Sequence, residues 1–463
     1  MIPVLTPEQM RAADAAAVEA VGGGDLFIRR AGHAVARVAK QMLGGAYGRR
    51  VVVVAGAGNN GNDGRVAAGW LSEWGARVTV VDADDAGGTF IDRRSADLVI
   101  DAAYGIGFRG TWSPPIVFDV PVLAVDLPSG LDAHDGTVAG GVLPADRTVT
   151  FAAVKTGMLL GDGPSLCGEM DVVDVGIDPI DDVGVHLVDA SDVEAWLPVR
   201  DRAAHKWNHA VRIVAGSPGM GGAASLASAA AMRAGAGMVR LSWRTGHEPY
   251  SPPTEVVGTP LPAEQWSAFV SHDIARFGSL VIGPGLGRGD DVAVEVRETL
   301  AECEVTAIVD GDGILGAIDP AGGHSVLLSR TGRTVLTPHD GEFAALGGDA
   351  QASDRIGATR DLSRRTGCIV LRKGPTTIVS DPDGATYLVV AGDERLATAG
   401  SGDVLAGMIG AFVARGLAPH EAAAAAAQVH GMAGSRCAPE GTIARDVLSA
   451  VSDVLSEVCG HVD

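Results

Sequence analysis

The chain has 463 residues, 46% of them hydrophobic and only 20% charged, which is material for two folded domains and argues against a disordered chain. Its 57 acidic against 36 basic residues give a formal charge of −21, which repels nucleic acid and anionic membrane, so neither is expected as a partner. Five cysteines without a CxxC pair speak against a disulfide framework or zinc site; with no secretory leader and no apolar run of the roughly 18 residues that span a bilayer, a cytoplasmic protein is expected.

The first predicted element is a helix over 6–20, with Thr6 as N-cap, Pro7 at the first helical position and Glu8 in the first turn. A second helix follows in "AGHAVARVAKQML". Short apolar runs then alternate with helical patterns: "RVVVVAG" (50–56), a helix at 64–76, "RVTVVD" (77–82), "ADLVIDAAYG" (96–105), "VPVLAVDLPSG" (120–130) and "DRTVTFAAV" (146–154). Apolar strands alternating with helices predict a parallel sheet covered on both faces, a Rossmann-like doubly wound α/β domain over 1–200. After a Pro-rich stretch the alternation restarts at "VRIVAGS" (211–217), with a long Ala-rich helix at 222–236, strands near 237, 278, 306, 333 and 368, and a helix at 400–416. That predicts a second α/β domain over 201–463.

"GAGNNG", Gly56 to Gly61, fits the dinucleotide fingerprint, with Asp82 at the end of the next strand as a ribose-binding acid. With 64 glycines in the chain, that fingerprint alone is weak evidence. Its polar decoration says more: Asn59, Asn60, Asn62 and Asp63 follow one strand end, Asp101 another, Asp126 and Ser129 a third, and Lys155 a fourth. Strand carboxyl ends are where open sheets bind ligands. The chain has 32 arginines and only four lysines, Lys40, Lys155, Lys206 and Lys373, so a lysine at such a place is informative.

Together "GNNGNDG", "IDAAYGIGFRG", "VDLPSG" and "TFAAVKTG" resemble the NAD(P)H-hydrate epimerases, the YjeF N-terminal domain. The resemblance implies that Asn59, Asn60, Gly61, Asn62 and Asp63 bind the hydrated dinucleotide. It implies that Asn60, Asp101 and Ser129 hold a potassium ion. The loop Gly105, Ile106, Gly107, Phe108, Arg109, Gly110 and Thr111 would wrap the phosphates, and Asp126 would contact the hydrated nicotinamide. Inverting the hydroxyl-bearing carbon needs a proton-transfer group; Asp126 is the candidate, with Lys155 second. Asn62 stands where the family more often has glycine, which asks for a backbone angle that Asn tolerates. "IRRAG" (28–32) also departs from the family's usual Met-Glu-x-Ala-Gly.

In the second half, "LATAGSGDVLAG" places Gly400, Ser401 and Gly402 before a helix, an anion site of backbone N–H groups with Asp403 on the first turn as a base. This resembles the ribokinase-like superfamily. With "HKWNHA", "AGSPGMGGAAS", "GPGLG", "DGDG", "TPHDGE" and "KGPTT" in order, it resembles the ADP-dependent NAD(P)H-hydrate dehydratases, the YjeF C-terminal domain. The resemblance implies nucleotide contacts from Lys373, Gly374, Pro375, Thr376, Thr377, Gly400, Ser401 and Gly402. It implies hydrate contacts from Gly222, Ala223, Gly285, Gly287 and His339, and acid–base catalysis by Asp403. Magnesium is expected with ADP as co-substrate. Asp310 and Asp312 either assist or close a strand into a turn. Asp340, and Asp393 with Glu394, replace residues usual in the family.

The implied function is two-step repair. R and S hydrates of NADH and NADPH are interconverted, and the S form is dehydrated at the expense of ADP, giving AMP and phosphate. The alternative is a ribokinase-like small-molecule kinase with a non-catalytic N-terminal dinucleotide-binding module. The related families form homo-oligomers, and a homo-oligomer is expected here. The Ala-rich stretch 420–437 is read as an internal core helix by default.

Overall fold

The fold is that of a computed structural model describing residues 1–178, 184–246 and 250–460. Part of the Pro-rich stretch after the first domain, residues 179–183, lies outside the described residues. The chain divides into two compact units, Ile2–His186 and Leu187–Asp463 with Met1.

In the first unit, β1 (Ile2–Leu5) leads into α1 (Pro7–Val21), started by a full capping box: the Thr6 hydroxyl accepts from Gln9 N–H and the Gln9 side chain accepts from Thr6 N–H. After α2 (Asp25–Met42) come β2 (Arg50–Ala55), α3 (Asn59–Glu73), β3 (Arg77–Asp82), β4 (Leu98–Ala102), β5 (Val122–Val125), β6 (Arg147–Phe151), β7 (Val154–Lys155) and β8 (Glu169–Val173). Six of these strands form a parallel sheet in the order β8-β6-β5-β4-β2-β3. The order reverses direction on either side of β2 and β4, and loops there open a crevice at their carboxyl ends. β1 pairs separately with β7, bringing Leu5 into register with Lys155. The central strands are Val- and Ile-rich and buried on both faces, which is why they read as unbroken apolar runs.

The polar loop after β2 corrects one expectation. The helix starts at Asn59 rather than near Gly64, so Asn59, Asn60, Gly61, Asn62 and Asp63 form its first turns behind the extended Gly58 cap. Asn62 is exposed within this right-handed helix and is absent from the residues with positive φ. It needs no special backbone angle; glycine is dispensable there. Glycine is required one residue earlier, where a Cβ on Gly61 would stand 1.8 Å from the Gly56 carbonyl oxygen.

The second unit contains β9 (Ala210–Val214), α4 (Gly221–Arg233), β10 (Met238–Ser242), β11 (Ser279–Ile282), β12 (Thr306–Val309), β13 (Thr334–Leu336), β14 (Ile369–Arg372), β15 (Thr377–Ser380) and β16 (Thr386–Val389). The sheet runs β10-β9-β11-β12-β13-β14-β15-β16. It is parallel as far as β14, then turns antiparallel through β15 and β16. "KGPTT" is the link between β14 and β15, too short for the crossover that a parallel pair requires.

The core helices are α5 (Ser401–Ala414), α6 (Pro419–Ser435) and α7 (Ala444–Val458). The run Ala422–Ala427 in α6 is buried within this unit's own core, as the internal reading expects. α5 lies against α4 so closely that a Cβ on Gly407 would come 2.1 Å from the Ala227 carbonyl oxygen. Backbone cannot yield there as a flexible side chain can. Gly407→Ala should destabilise the second unit by about 1–3 kcal/mol, the usual range for overpacking. Urea unfolding of the full chain checks it, and an unchanged midpoint for the second unit contradicts it.

Candidate active sites

In the first unit, the strand ends converge. Asp101, at the end of β4, is fully buried and accepts from the Ser129 hydroxyl (2.6 Å), Ser129 N–H (2.9 Å) and Ala103 N–H (3.3 Å). Burial pushes its carboxyl up to about 6, and those hydrogen bonds pull against the shift. The Ser129 oxygen also accepts from Tyr104 N–H at 2.8 Å, which fixes the start of the next loop. Asn60 is buried on the first turn of α3, and among the described residues neither its amide oxygen nor its amide nitrogen has a hydrogen-bond partner. Orphaned buried amide atoms are costly and signal a missing ligand or water.

Gly105 joins this group to the next. A Cβ there would lie 3.5 Å from Asn60 Cβ and 3.6 Å from Asp126 Oδ2. Asp126 follows β5 with φ of 68°, a left-handed angle uncommon outside glycine. Its carboxylate pairs with Lys155 Nζ at the end of β7. Lys155 is almost completely buried and also donates to Thr150 Oγ1 (2.8 Å) and the Phe151 carbonyl (3.2 Å). Burial, reinforced by the charges of Asp126 and Asp14, pushes the Asp63 carboxyl up to about 8. Burial also raises Asp14, despite the nearby Lys155.

The structure thus brings Asn60, Asp63, Asp101, Asp126, Ser129 and Lys155 together at one edge. Asn59 and Asn62 are exposed on the same helix. Gly105, Ile106, Phe108 and Arg109 line a cavity of about 270 Å³, while Gly107, Gly110 and Thr111 complete the loop outside its lining. The far wall, including Leu131, Asp132 and His134, was not singled out from sequence. Neither were Thr150, which meets Lys155 and Asp126, and Asp14, which lies near those same two residues far along the chain. Asp82 is different: it sits at the exposed end of β3, within 3.9 Å of Arg65.

In the second unit, Gly400 takes φ of 93° and turns the chain into α5. Asp403 lies on the first turn. Burial and Asp310 push its carboxyl up to about 7, with Lys373 pulling the other way and Asp312 adding to the rise. Lys373 donates to Asp310 Oδ1 at 2.9 Å, and a Cβ on Gly402 would lie 3.4 Å from its Nζ. Burial works against the charge on Lys373, but Asp310, Glu342 and Asp403 outweigh it and hold the ammonium above its ordinary range. Thr337 donates to the same Asp310 oxygen at 2.7 Å.

The other predicted contacts form a second cluster. Gly285, with φ of 56°, abuts the start of α4: a Cβ there would be 2.8 Å from Ala223 Cβ. Ser217 donates to the Gly285 carbonyl at 2.9 Å and also lies beside Gly287. Gly222, next to Ala223, is exposed to solvent at the same helix start. Asp312 accepts from Gly287 N–H at 2.9 Å and from Arg288 at 2.8 Å. His339 is largely exposed and caps the short helix Asp340–Ala345, its Nδ1 accepting from Gly341 and Glu342 N–H. Gly374 and Pro375 form the β14–β15 link, Thr376 is buried in it and Thr377 opens β15. Glu342, Thr337 and Ser217 are the residues here that sequence reasoning did not single out.

The departures from the family pattern have local partners. Asp340 accepts from Arg355 (3.1 Å) and from the fully buried Arg372 (2.8 Å). Asp393 caps the turn Glu394–Leu396 and pairs with Arg395, which reaches the Ser435 carbonyl. The histidines of "HKWNHA" serve the chain: His205 accepts from Trp207 N–H, and His209 Nδ1 meets the Ala414 carbonyl at 3.2 Å.

A doubly wound unit with acids at its strand ends, and a ribokinase-like unit with a Gly-Ser-Gly anion loop beside a desolvated acid, define a two-site nucleotide-handling protein. Family comparison agrees: residues 211–455 match the model described as NAD(P)H-hydrate dehydratase, and residues 25–87 and 82–157 match the YjeF-related protein N-terminus. Among curated relatives, the bifunctional NAD(P)H-hydrate repair enzyme Nnr of Mycobacterium leprae is 37% identical over 460 residues, covering 93% of each chain. That of Mycobacterium tuberculosis is 36% identical over 444 residues, covering 90% of each. Of solved structures, a ribokinase-like superfamily protein from Enterococcus faecalis matches with a TM-score of 0.53 at 21% identity, covering 60% of this chain and 98% of its own. The chain belongs to the family of bifunctional NAD(P)H-hydrate repair enzymes.

The raised Asp63 carboxyl has a consequence for stability. Its ordinary value is 3.8 and its folded value about 8, so between these the folded state binds more protons than the unfolded one. Stability therefore falls as pH rises through that window. Asp63→Asn removes the titration, so its melting temperature relative to wild type should climb between pH 5 and pH 8. A difference that stays constant across that range contradicts the burial account.

Proposed function

We propose that this chain repairs hydrated nicotinamide dinucleotides in two steps. The first unit interconverts the R and S hydrates of NADH and NADPH. The second dehydrates the S form with ADP, giving NAD(P)H, AMP and phosphate. The observation that carries the reading is Asp403: a half-buried carboxyl raised to about 7 on the first turn behind the Gly-Ser-Gly loop, with the Lys373–Asp310 pair beside it. Binding an anion needs no such acid, whereas activating a hydroxyl for attack on phosphorus does.

In the second step Asp403 takes the proton from the ring hydroxyl of the hydrate. The hydroxyl oxygen bonds to the terminal phosphorus of ADP, and the bond from that phosphorus to AMP breaks. The N–H groups of Gly400, Ser401 and Gly402 and the Lys373 ammonium meet the charge as it moves. The ring nitrogen's electron pair then expels phosphate, and a proton leaves the adjacent ring carbon to restore the dihydronicotinamide. Gly222, Ala223, Gly285, Gly287 and His339 hold the hydrate, and Gly374, Pro375, Thr376 and Thr377 complete the nucleotide site. Asp310 is engaged by Lys373 and Thr337, and Asp312 by Gly287 and Arg288, so magnesium would arrive on the ADP phosphates. It would supply charge neutralisation there.

In the first unit Asp126 is the proton-transfer group, and its contact with Lys155 Nζ orients it. Asn59, Asn60, Gly61, Asn62 and Asp63 with the 105–111 loop receive the dinucleotide. The oxygens of Asn60, Asp101 and Ser129 fit a potassium ion: they are hard donors, the Asn60 amide has no partner among the described residues, and Asp101 accepts from N–H and O–H donors. The ion would supply the missing positive charge beside Asp101.

Mixed R and S hydrates of NADH, incubated with ADP and magnesium and resolved by chromatography, test the reading. Wild type should consume both epimers. Asp126→Asn should leave R at its spontaneous rate of conversion, and Asp403→Asn should slow NADH recovery about 10²–10⁴-fold. An Asp403→Asn protein as fast as wild type overturns the assignment.

A further inference from the structure

Asp310, Asp312, Glu342 and Asp403 crowd the second unit's site, and bound ADP would add the charge of a diphosphate. Three nearby cations are already engaged. Lys373 meets Asp310 at 2.9 Å and Glu342 at 3.9 Å, and Arg288 lies on Asp312 at 2.8 Å. Arg372 is fully buried: its Nε donates to Asp340 (2.8 Å), its Nη2 donates to the Ala350 carbonyl (2.9 Å), and its guanidinium stands 4.2 Å over the Phe343 ring. A ligand cannot reach it there.

Arg355 is placed differently. It opens the helix Arg355–Thr366, whose N-cap Asp354 accepts from Gly357 N–H at 2.8 Å. The end of its guanidinium forks onto Asp340, Nη1 donating to Oδ2 at 3.2 Å and Nη2 to Oδ1 at 3.1 Å. A guanidinium has a second edge, Nε with Nη2, that can also grip two oxygens at once. In Arg355 that edge borders the link between β14 and β15: a Cβ on Gly374 would lie 3.2 Å from Nη2. Among the described residues Arg355 Nε has no hydrogen bond, and the side chain is 24% exposed, so a ligand lying on the link can meet it. Asp340 also accepts from Arg372, one residue before Lys373, so a single carboxylate anchors Arg355 to the strand end that carries the site lysine.

We propose that Arg355 is a further ADP-binding residue, its Nε–Nη2 edge donating to the diphosphate beside Gly374 while Asp340 holds the other edge and aims the fork. The proposal rests on the reading of the second unit as an ADP site. It gives the diphosphate a cation other than the lysine already shared by Asp310 and Glu342. Because the pair with Asp340 fixes the side chain beforehand, little rotamer freedom is lost when the phosphates arrive. Lysine at this position would bring the charge without the fork.

The test uses the full-length chain and calorimetric titration with ADP and magnesium, which reads the nucleotide site whether or not chemistry follows. Arg355→Gln removes the charge at similar length, and Arg355→Lys keeps the charge. Arg355→Gln should bind ADP about tenfold more weakly, with KM for the hydrate within about twofold of wild type. Its ADP affinity should also fall less steeply with added sodium chloride, because one ionic contact is gone. Arg355→Lys should recover part of the affinity and the wild-type salt dependence. Equal ADP affinity in wild type and Arg355→Gln overturns the proposal. So does a loss that Arg355→Lys shares in full, with an unchanged salt dependence and an equally raised KM for the hydrate, which marks a merely structural tie to Asp340. If wild type binds ADP but never dehydrates the hydrate, the functional reading fails while the affinity series still decides the role of Arg355; a wild type that binds no ADP overturns both.

Discussion

Each unit gathers several carboxyl groups at the carboxyl ends of its strands and sets one lysine among them. In the first the pair is Lys155–Asp126, and in the second Lys373–Asp310. Taking these charges out of water is expensive, and removing one partner from such a pair typically costs about 3–5 kcal/mol because the other is left uncompensated. Both units accept that cost at their candidate sites. The surplus acids respond by holding their protons more tightly, Asp63 to about 8, Asp403 to about 7 and Asp101 to about 6. Carboxyls in that range can exchange protons near neutral pH, which ordinary surface aspartates do poorly.

The two sites solve different problems with these parts. The first offers an orphaned amide, a buried carboxyl and a hydroxyl around a glycine, which suits an ion and a polar ring. The second offers backbone N–H groups at a helix start, which suits a phosphate. The difference follows from the preceding turn. Gly61 closes onto Gly56 and turns Asn60 inward, whereas Gly400 enters α5 through a left-handed angle that leaves Gly402 beside Lys373. In a chain rich in arginine, two of the four lysines occupy these pairs. Of the others, Lys40 lies over the Trp74 ring and Lys206 contributes backbone against Gly237.

Much of this was legible in the sequence because strand ends are punctuated by chemistry. The Val-rich runs fixed where the parallel strands fall, and the residues just after them carry the sites. What was not legible depends on distance along the chain or on local packing. Nothing near Asp310 announces Thr337, 27 residues away, and nothing near Lys155 announces Asp14. The first turns of α3 were hidden because Asn, Gly and Asp are poor helix formers, and close packing, of Gly61 on Gly56 and of Gly64 on Ala102, accompanies their helical path. The same packing made the special angle expected of Asn62 unnecessary. The β15–β16 hairpin was missed because its short strands follow a parallel pattern that had been regular up to that point.

The central claim is that Asp403 and the Gly-Ser-Gly loop of the second unit move a phosphoryl group in order to expel it. Phosphorus NMR of ADP turned over with the S hydrate, alongside the absorbance of NADH, tests this most directly. One AMP and one inorganic phosphate for each NADH restored is the predicted outcome. A stable phosphorylated product accumulating without NADH would contradict it and make the second unit a small-molecule kinase.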